Sequence, residues 1–105
     1  MKAKELEIAD EIYGFIHSRM IGDPDFNFLK RPMNKGNQFK KVLVMVLFYK
    51  LHWSSKDLGW YMGHRTIGEP FSVGITHHHL GTAMMGNMDD YAKVVLNDAR
   101  KKFGV

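Results

Sequence analysis

Three consecutive histidines, His77-His78-His79, are the residues of this chain best suited to recognition or chemistry. A neutral imidazole carries one donor and one acceptor, enough to read a purine edge or to hold a phosphate oxygen. Metal binding is a weaker expectation. On a helix, consecutive side chains point about 100° apart, whereas two ligands on one face need i, i+3 or i, i+4 spacing. No Cys, Asp or Glu completes a set nearby, and His52 or His64 joins only if the intervening loop folds back. No metal and no cofactor are therefore expected. Enzymatic chemistry finds little footing either, because the chain has no nucleophile elbow, no phosphate loop and no His-Glu-x-x-His pattern. Ser54 and Ser55 are accounted for by helix capping, and Asp89 and Asp90 by their place at a helix start.

The elements that must position the histidines are short. Ser54-Ser55-Lys56-Asp57-Leu58-Gly59-Trp60-Tyr61-Met62-Gly63 opens with a hydroxyl cap and a carboxylate three residues on. It closes on a glycine, so the spacing predicts a short helix. Thr76 precedes the histidines, and Leu80, Ala83 and Met84 recur at helical spacing, predicting a second helix that opens on His77. Two such helices are how a helix-turn-helix presents a reading head to the major groove. The connection from His64 to Ile75 is long for that motif.

Around them the periodicity predicts more helix. Ile8, Ile12, Phe15 and Ile16 form the apolar stripe of an N-terminal amphipathic helix within residues 1–21, stopped by Gly22-Asp23-Pro24. A loop over 22–36 follows, with Phe26, Phe28 and Leu29 expected to pin it to the core. Asn37 is positioned to cap the next helix, which runs to about His52. Its centre, Val42 to Tyr49, is apolar throughout, so a buried strand competes there; length and flanks favour a helix at the middle of a bundle. A last helix opens at Asn87-Met88-Asp89-Asp90, with Tyr91, Val95, Ala99 and Phe103 as its stripe. The expected fold is all-α: one domain over residues 1–105, a compact bundle of about five helices with a helix-turn-helix core over 37–105.

Charge points to a polyanion. The chain carries 15 Lys and Arg against 11 Asp and Glu. Residues 1–20 are slightly acidic, and the excess concentrates in Lys30, Arg31, Lys35, Lys40, Lys41 and Lys50, with a second knot at Arg100-Lys101-Lys102. The alternative is a basic surface that serves solubility alone. No stretch approaches the roughly 20 apolar residues of a membrane span, and Met1 to Glu7 is too acidic for a signal peptide. Zero cysteines exclude disulfides and fit an intracellular, cytoplasmic protein. Eight methionines are expected as adaptable core filler.

Several of these segments together resemble the C-terminal duplex-DNA-binding domain of the bacterial replication initiator DnaA, a Trp-repressor-like helix-turn-helix. Val44-Met45-Val46-Leu47 is similar to that family's apolar helix. Ser54 with Asp57-Leu58-Gly59 and Met62-Gly63 resembles its Ser-x-x-Glu-Ile-Gly-x-x-Phe-Gly helix, and His64-Arg65 its turn. His77-His78-His79-Leu80-Gly81-Thr82-Ala83 resembles its His-Thr-Thr-Val-x-His-Ala recognition helix, and Arg100-Lys101-Lys102 its basic end. The resemblance spans roughly residues 37–103. It departs from the family in the eleven residues between Arg65 and His77, in histidines where the family has threonines, and in lacking any ATPase motif.

The resemblance implies a small, sequence-preferring duplex-DNA-binding protein that is not an enzyme. His77, His78 and His79 would read bases; Arg65, Lys40, Lys41, Arg100, Lys101 and Lys102 would contact the DNA backbone. The N-terminal helix would complete the core or mediate contact with a second copy or a protein partner. The competing expectation is an interaction or structural protein of phage or mobile-element origin that keeps the fold without binding DNA. For the histidines the plain alternative is a solvated helix start.

Overall fold

The run Val42–Leu47 is buried residue after residue, and in helical form that requires neighbours on every side. The computed structural model describes residues 2–105 and holds five helices: α1 (Ala3–Met20), α2 (Asn34–Leu51), α3 (Ser55–Thr66), α4 (Val73–Met84) and α5 (Asp90–Phe103). No strand occurs among the described residues. The expectation of an all-α bundle holds, and α2 is its axis: it packs against all four other helices, while α1 pairs with α5 and α3 with α4. Among the described residues, no helix is long and apolar enough to cross a membrane.

α1 buries Ala9, Ile12, Ile16 and Met20 and so completes the core. Arg19 of α1 donates to Asp98 of α5 at 2.8 Å, and the Tyr91 hydroxyl donates to the Arg19 carbonyl at 2.6 Å. α1 meets α3 differently, through polar side chains: the Tyr61 hydroxyl and the Arg65 guanidinium both donate to one Asp10 oxygen, and the Tyr13 hydroxyl donates to the Arg65 carbonyl. Burial and the Asp10 carboxylate together push the Tyr61 hydroxyl well above the usual tyrosine range, so it remains a donor.

Several boundaries differ from the sequence reading, each for a physical reason. α2 starts at Asn34 rather than after Asn37, because Gly36 leaves room for the Phe28 ring, 3.2 Å from where a Cβ would sit. Phe28 then stacks obliquely on Phe39, pinning the loop as expected. Leu29, by contrast, is exposed. On α5 the buried stripe is Ala92, Val95, Leu96 and Ala99, rotated away from Tyr91, which stays at the rim to bond α1. Methionines divide: Met20, Met45 and Met62 fill the core, whereas Met84 and Met85 are exposed.

Candidate nucleic-acid interface

α3 begins as expected, with the Ser54 hydroxyl accepting from the Asp57 amide at 3.2 Å. It does not end at Gly63. That glycine lies inside the helix, where a Cβ would overlap the Glu69 carbonyl oxygen and stand 2.5 Å from the Phe71 nitrogen. A Cβ on Gly59, one turn earlier, would stand 2.6 Å from Thr76 Oγ1 and 2.8 Å from the Phe71 carbonyl oxygen. The two glycines therefore form a groove along α3 into which the following segment and α4 are pressed. The Phe71 amide donates to the Gly59 carbonyl at 3.0 Å and fixes the register. Gly68, with φ +81°, is the residue that turns the chain between them.

α4 starts four residues before the expected position. Its cap is Ser72, whose hydroxyl accepts from the Ile75 amide at 3.2 Å, and Thr76 is buried within the helix. The first turn is thus Val73-Gly74-Ile75, and the histidines fall in the second turn. Removing the cap is expected to show: Ser72→Ala should lower stability by about 1 kcal/mol in urea titrations, with no change in the helix content of the folded state.

The register separates the three histidines. His77 and His78 are exposed, but His79 is only 8% exposed and turns inward with Thr76 and Ala83. Its Nδ1 is buried without a hydrogen-bond partner. Burial, followed by the charges of Lys40, His78 and Lys41, pushes the His79 imidazole down to about 4, so it is neutral at pH 7. A base-reading role for His79 is incompatible with this placement. The same holds for Lys40 as an open backbone contact: it is 5% exposed, with its ammonium 5.1 Å from the centre of the Phe71 ring, and burial lowers its affinity for the proton.

The remaining candidates lie in three places. Lys41 stands beside α4, donating to the Asn87 carbonyl at 2.9 Å. Arg65 is engaged by Asp10 and covers the Tyr61 ring at 5.3 Å. Arg100 lies over Tyr49 and Lys102 over Phe15, at the end of α2 remote from Lys40 and Lys41, with Lys101 exposed next to them. The structure therefore brings Lys40, Lys41, His78 and His79 together and leaves the Arg100–Lys102 knot apart. Among the described residues, no group of three or more His, Asp or Glu is arranged to hold a metal ion.

The exposed Val73 and Ile75 at the start of α4 were not legible as surface from the chain alone. The signal that could have found them was Ser72, a hydroxyl residue preceding the helix by one position. A second feature, unmarked in sequence, is the cleft of about 250 Å³ between α1 and α3, where exposed Trp60 lies against His64 above the Asp10–Arg65 pair. Of the adjacent Trp60 and Tyr61, Tyr61 is the core residue.

Compared with known proteins, the chain matches no family model, no curated protein and no solved structure. What defines it is a central apolar helix carrying one long helix pair and one short, glycine-locked pair.

Proposed function

We propose that this chain binds duplex DNA, with α4 as the element laid in the major groove. The observation that carries this reading is the close seating on α3 of α4, at Gly59, and of the segment leading into it, at Gly63, while most of the N-terminal half of α4 stays exposed. A groove-reading helix needs that rigidity, because base contacts require placement within fractions of an ångström. The likeness to the DnaA DNA-binding domain, carried by the Ser54–Gly63 helix and the histidine segment, supports the same reading. Base reading falls to His77 and His78. Val73 and Ile75, both exposed, suit thymine methyl groups. Lys41 beside α4, and Arg100, Lys101 and Lys102 as a second group, supply backbone contacts.

The test is fluorescence anisotropy on random and selected duplexes across a salt series. With about four phosphate contacts, log K against log salt should slope by about −4. His78→Ala should cost about 1–3 kcal/mol on a preferred site and little on random duplex. Replacing Lys101 and Lys102 should weaken both alike and flatten the slope. Absence of binding at low salt ends the DNA reading.

One observation favours a protein partner instead. α4 contains no charged residue in its twelve positions, and Met84, Met85, Tyr91 and Val94 are exposed at its end and beyond it. Apolar surface of this kind suits a helix or loop of another protein. That reading stands if duplex binding fails.

A further inference from the structure

Two basic side chains are buried where α4 lies on α2, and the chain supplies a counter-charge to neither. Lys40 is 5% exposed and His79 8%. The Lys40 ammonium makes no ion pair among the described residues; the pairs that do form, Arg19–Asp98 and Arg65–Asp10, join α1 to α5 and to α3. Its neighbour is the face of the Phe71 ring, which attracts a cation without neutralising it. His79 Nδ1 is fully covered and has no hydrogen-bond partner. Burying a charge is unfavourable unless an opposite charge meets it. A covered polar atom without a partner is one mark of a place for a bound ion.

The charged neighbours all have the same sign. Lys41 follows Lys40 on α2, and on α4 the His78 ring lies 5.9 Å from that of His79. The charges felt by His79 come from Lys40, His78 and Lys41, with no carboxylate among them. α3 brings only Gly59 to this side, against Thr76, whose hydroxyl already donates to the Ser72 carbonyl. Asp89, two residues beyond the Asn87 carbonyl that Lys41 meets, has its carboxylate turned to the Ala92 amide at 2.8 Å, capping α5. Four basic groups thus converge from two helices with no acid between them, and burial strengthens their mutual repulsion.

We propose that this cluster holds a phosphate group, with Lys40 and Lys41 donating to it from α2 and His78 and His79 from α4. A tetrahedral oxyanion presents acceptors in several directions and enough charge to offset more than one cation. Lys40 is too covered to lie open along a DNA backbone, but as the buried partner of a single phosphate its position has a use. The site shares Lys41 with the DNA reading and does not rest on it. Free inorganic phosphate and the backbone of a nucleic acid offer the same chemistry.

The test is a histidine titration of the full chain by NMR, in sodium chloride and in inorganic phosphate at equal ionic strength. A phosphate in the cluster binds better when His79 carries a proton, so by reciprocity it raises the pH at which His79 titrates. The midpoint set by the chain alone, about 4, should rise by about one unit. His17 and His52, outside the cluster, should not move. At about pH 5, between that midpoint and the ordinary imidazole value, Lys40→Met should raise the phosphate concentration giving half the response about tenfold, the loss of one charge-assisted bond. Lys41→Gln, at a half-buried position, should raise it as well and decides the matter if Lys40→Met fails to fold. Lys4→Ala, exposed on α1, should leave it unchanged. A short duplex added afterwards assigns the source: displacement of phosphate puts a nucleic-acid backbone in the cluster, and no displacement leaves it to the free ion, either outcome keeping the site. An unmoved His79 midpoint overturns the proposal. So does an equal shift of all the histidines, or a response that the lysine variants leave unchanged.

Discussion

Gly63→Ala should lose about 3 kcal/mol or more of stability, the upper end of overpacking in a closed site. The added methyl would meet the Glu69 carbonyl and the Phe71 amide, both backbone atoms that cannot rotate aside as a side-chain tip does. For a domain of this size the loss corresponds to a melting temperature lowered by roughly 12 °C. Gly59→Ala should also destabilise, by less, since the Thr76 hydroxyl facing it has some freedom to turn. Gly14→Ala and Gly81→Ala are the controls: both lie in helices with open space where the methyl would go. Each should gain about 0.5–1 kcal/mol from helix propensity. Thermal melts of the four variants check the claim. Equal behaviour of Gly63→Ala and Gly81→Ala would mean that the Glu69–Phe71 segment is not closely seated on α3.

Acid should weaken the fold through one side chain. His79 is held down at about 4 in the folded chain by burial and by Lys40, His78 and Lys41, against about 6.5 when unfolded. Below about pH 6.5 the unfolded chain therefore takes up a proton that the folded chain refuses until about pH 4. Stability contributed by a neutral His79 is complete above that upper limit and is lost as pH falls through the window. The expected loss between pH 7 and pH 4 is about 3 kcal/mol from this group. Carboxylates in general titrate near the lower end of the window, so the clean measurement is a difference. His79→Leu should remove this portion of the pH dependence, and at pH 7 it should cost little, because it also removes a buried nitrogen without a partner. Urea midpoints for both chains at pH 7, 6, 5 and 4 give the comparison. Parallel curves would place His79 in water and undo the assignment of the inner face of α4.

Both expectations depend on registers that differ from a plain reading of the chain. Gly63 ends an apolar-periodic stretch and so reads as a helix stop; in the structure the helix runs on to Thr66 because the glycine serves the neighbouring segment rather than its own helix. Thr76 precedes the histidines and so reads as lying just outside a helix that opens on His77, yet the helix is capped by Ser72, whose hydroxyl accepts from the Ile75 amide, and Thr76 lies inside it, covered by α3. The shift by four residues turns His79 inward. Local signals of capping and punctuation occur at both places in the sequence, and only the packing of α3 against α4 chooses between them.

Other features were legible because they are local or averaged over many residues. The five helices, the central position of α2, Ile12 and Ile16 on the inward stripe of α1, and the Ser54 cap follow from apolar periodicity, run length and hydroxyl placement. These quantities sum over a turn or more, so one misplaced residue does not change the outcome. Tertiary structure decided what single positions do. It set which glycines are steric necessities, which of three adjacent histidines is withdrawn from solvent, and that Lys40 lies under Phe71 while Arg100 to Lys102 lie at the other end of α2. Those outcomes depend on contacts between residues far apart in the chain. A sequence contains such residues without ordering them in space, and close packing admits only one arrangement of them.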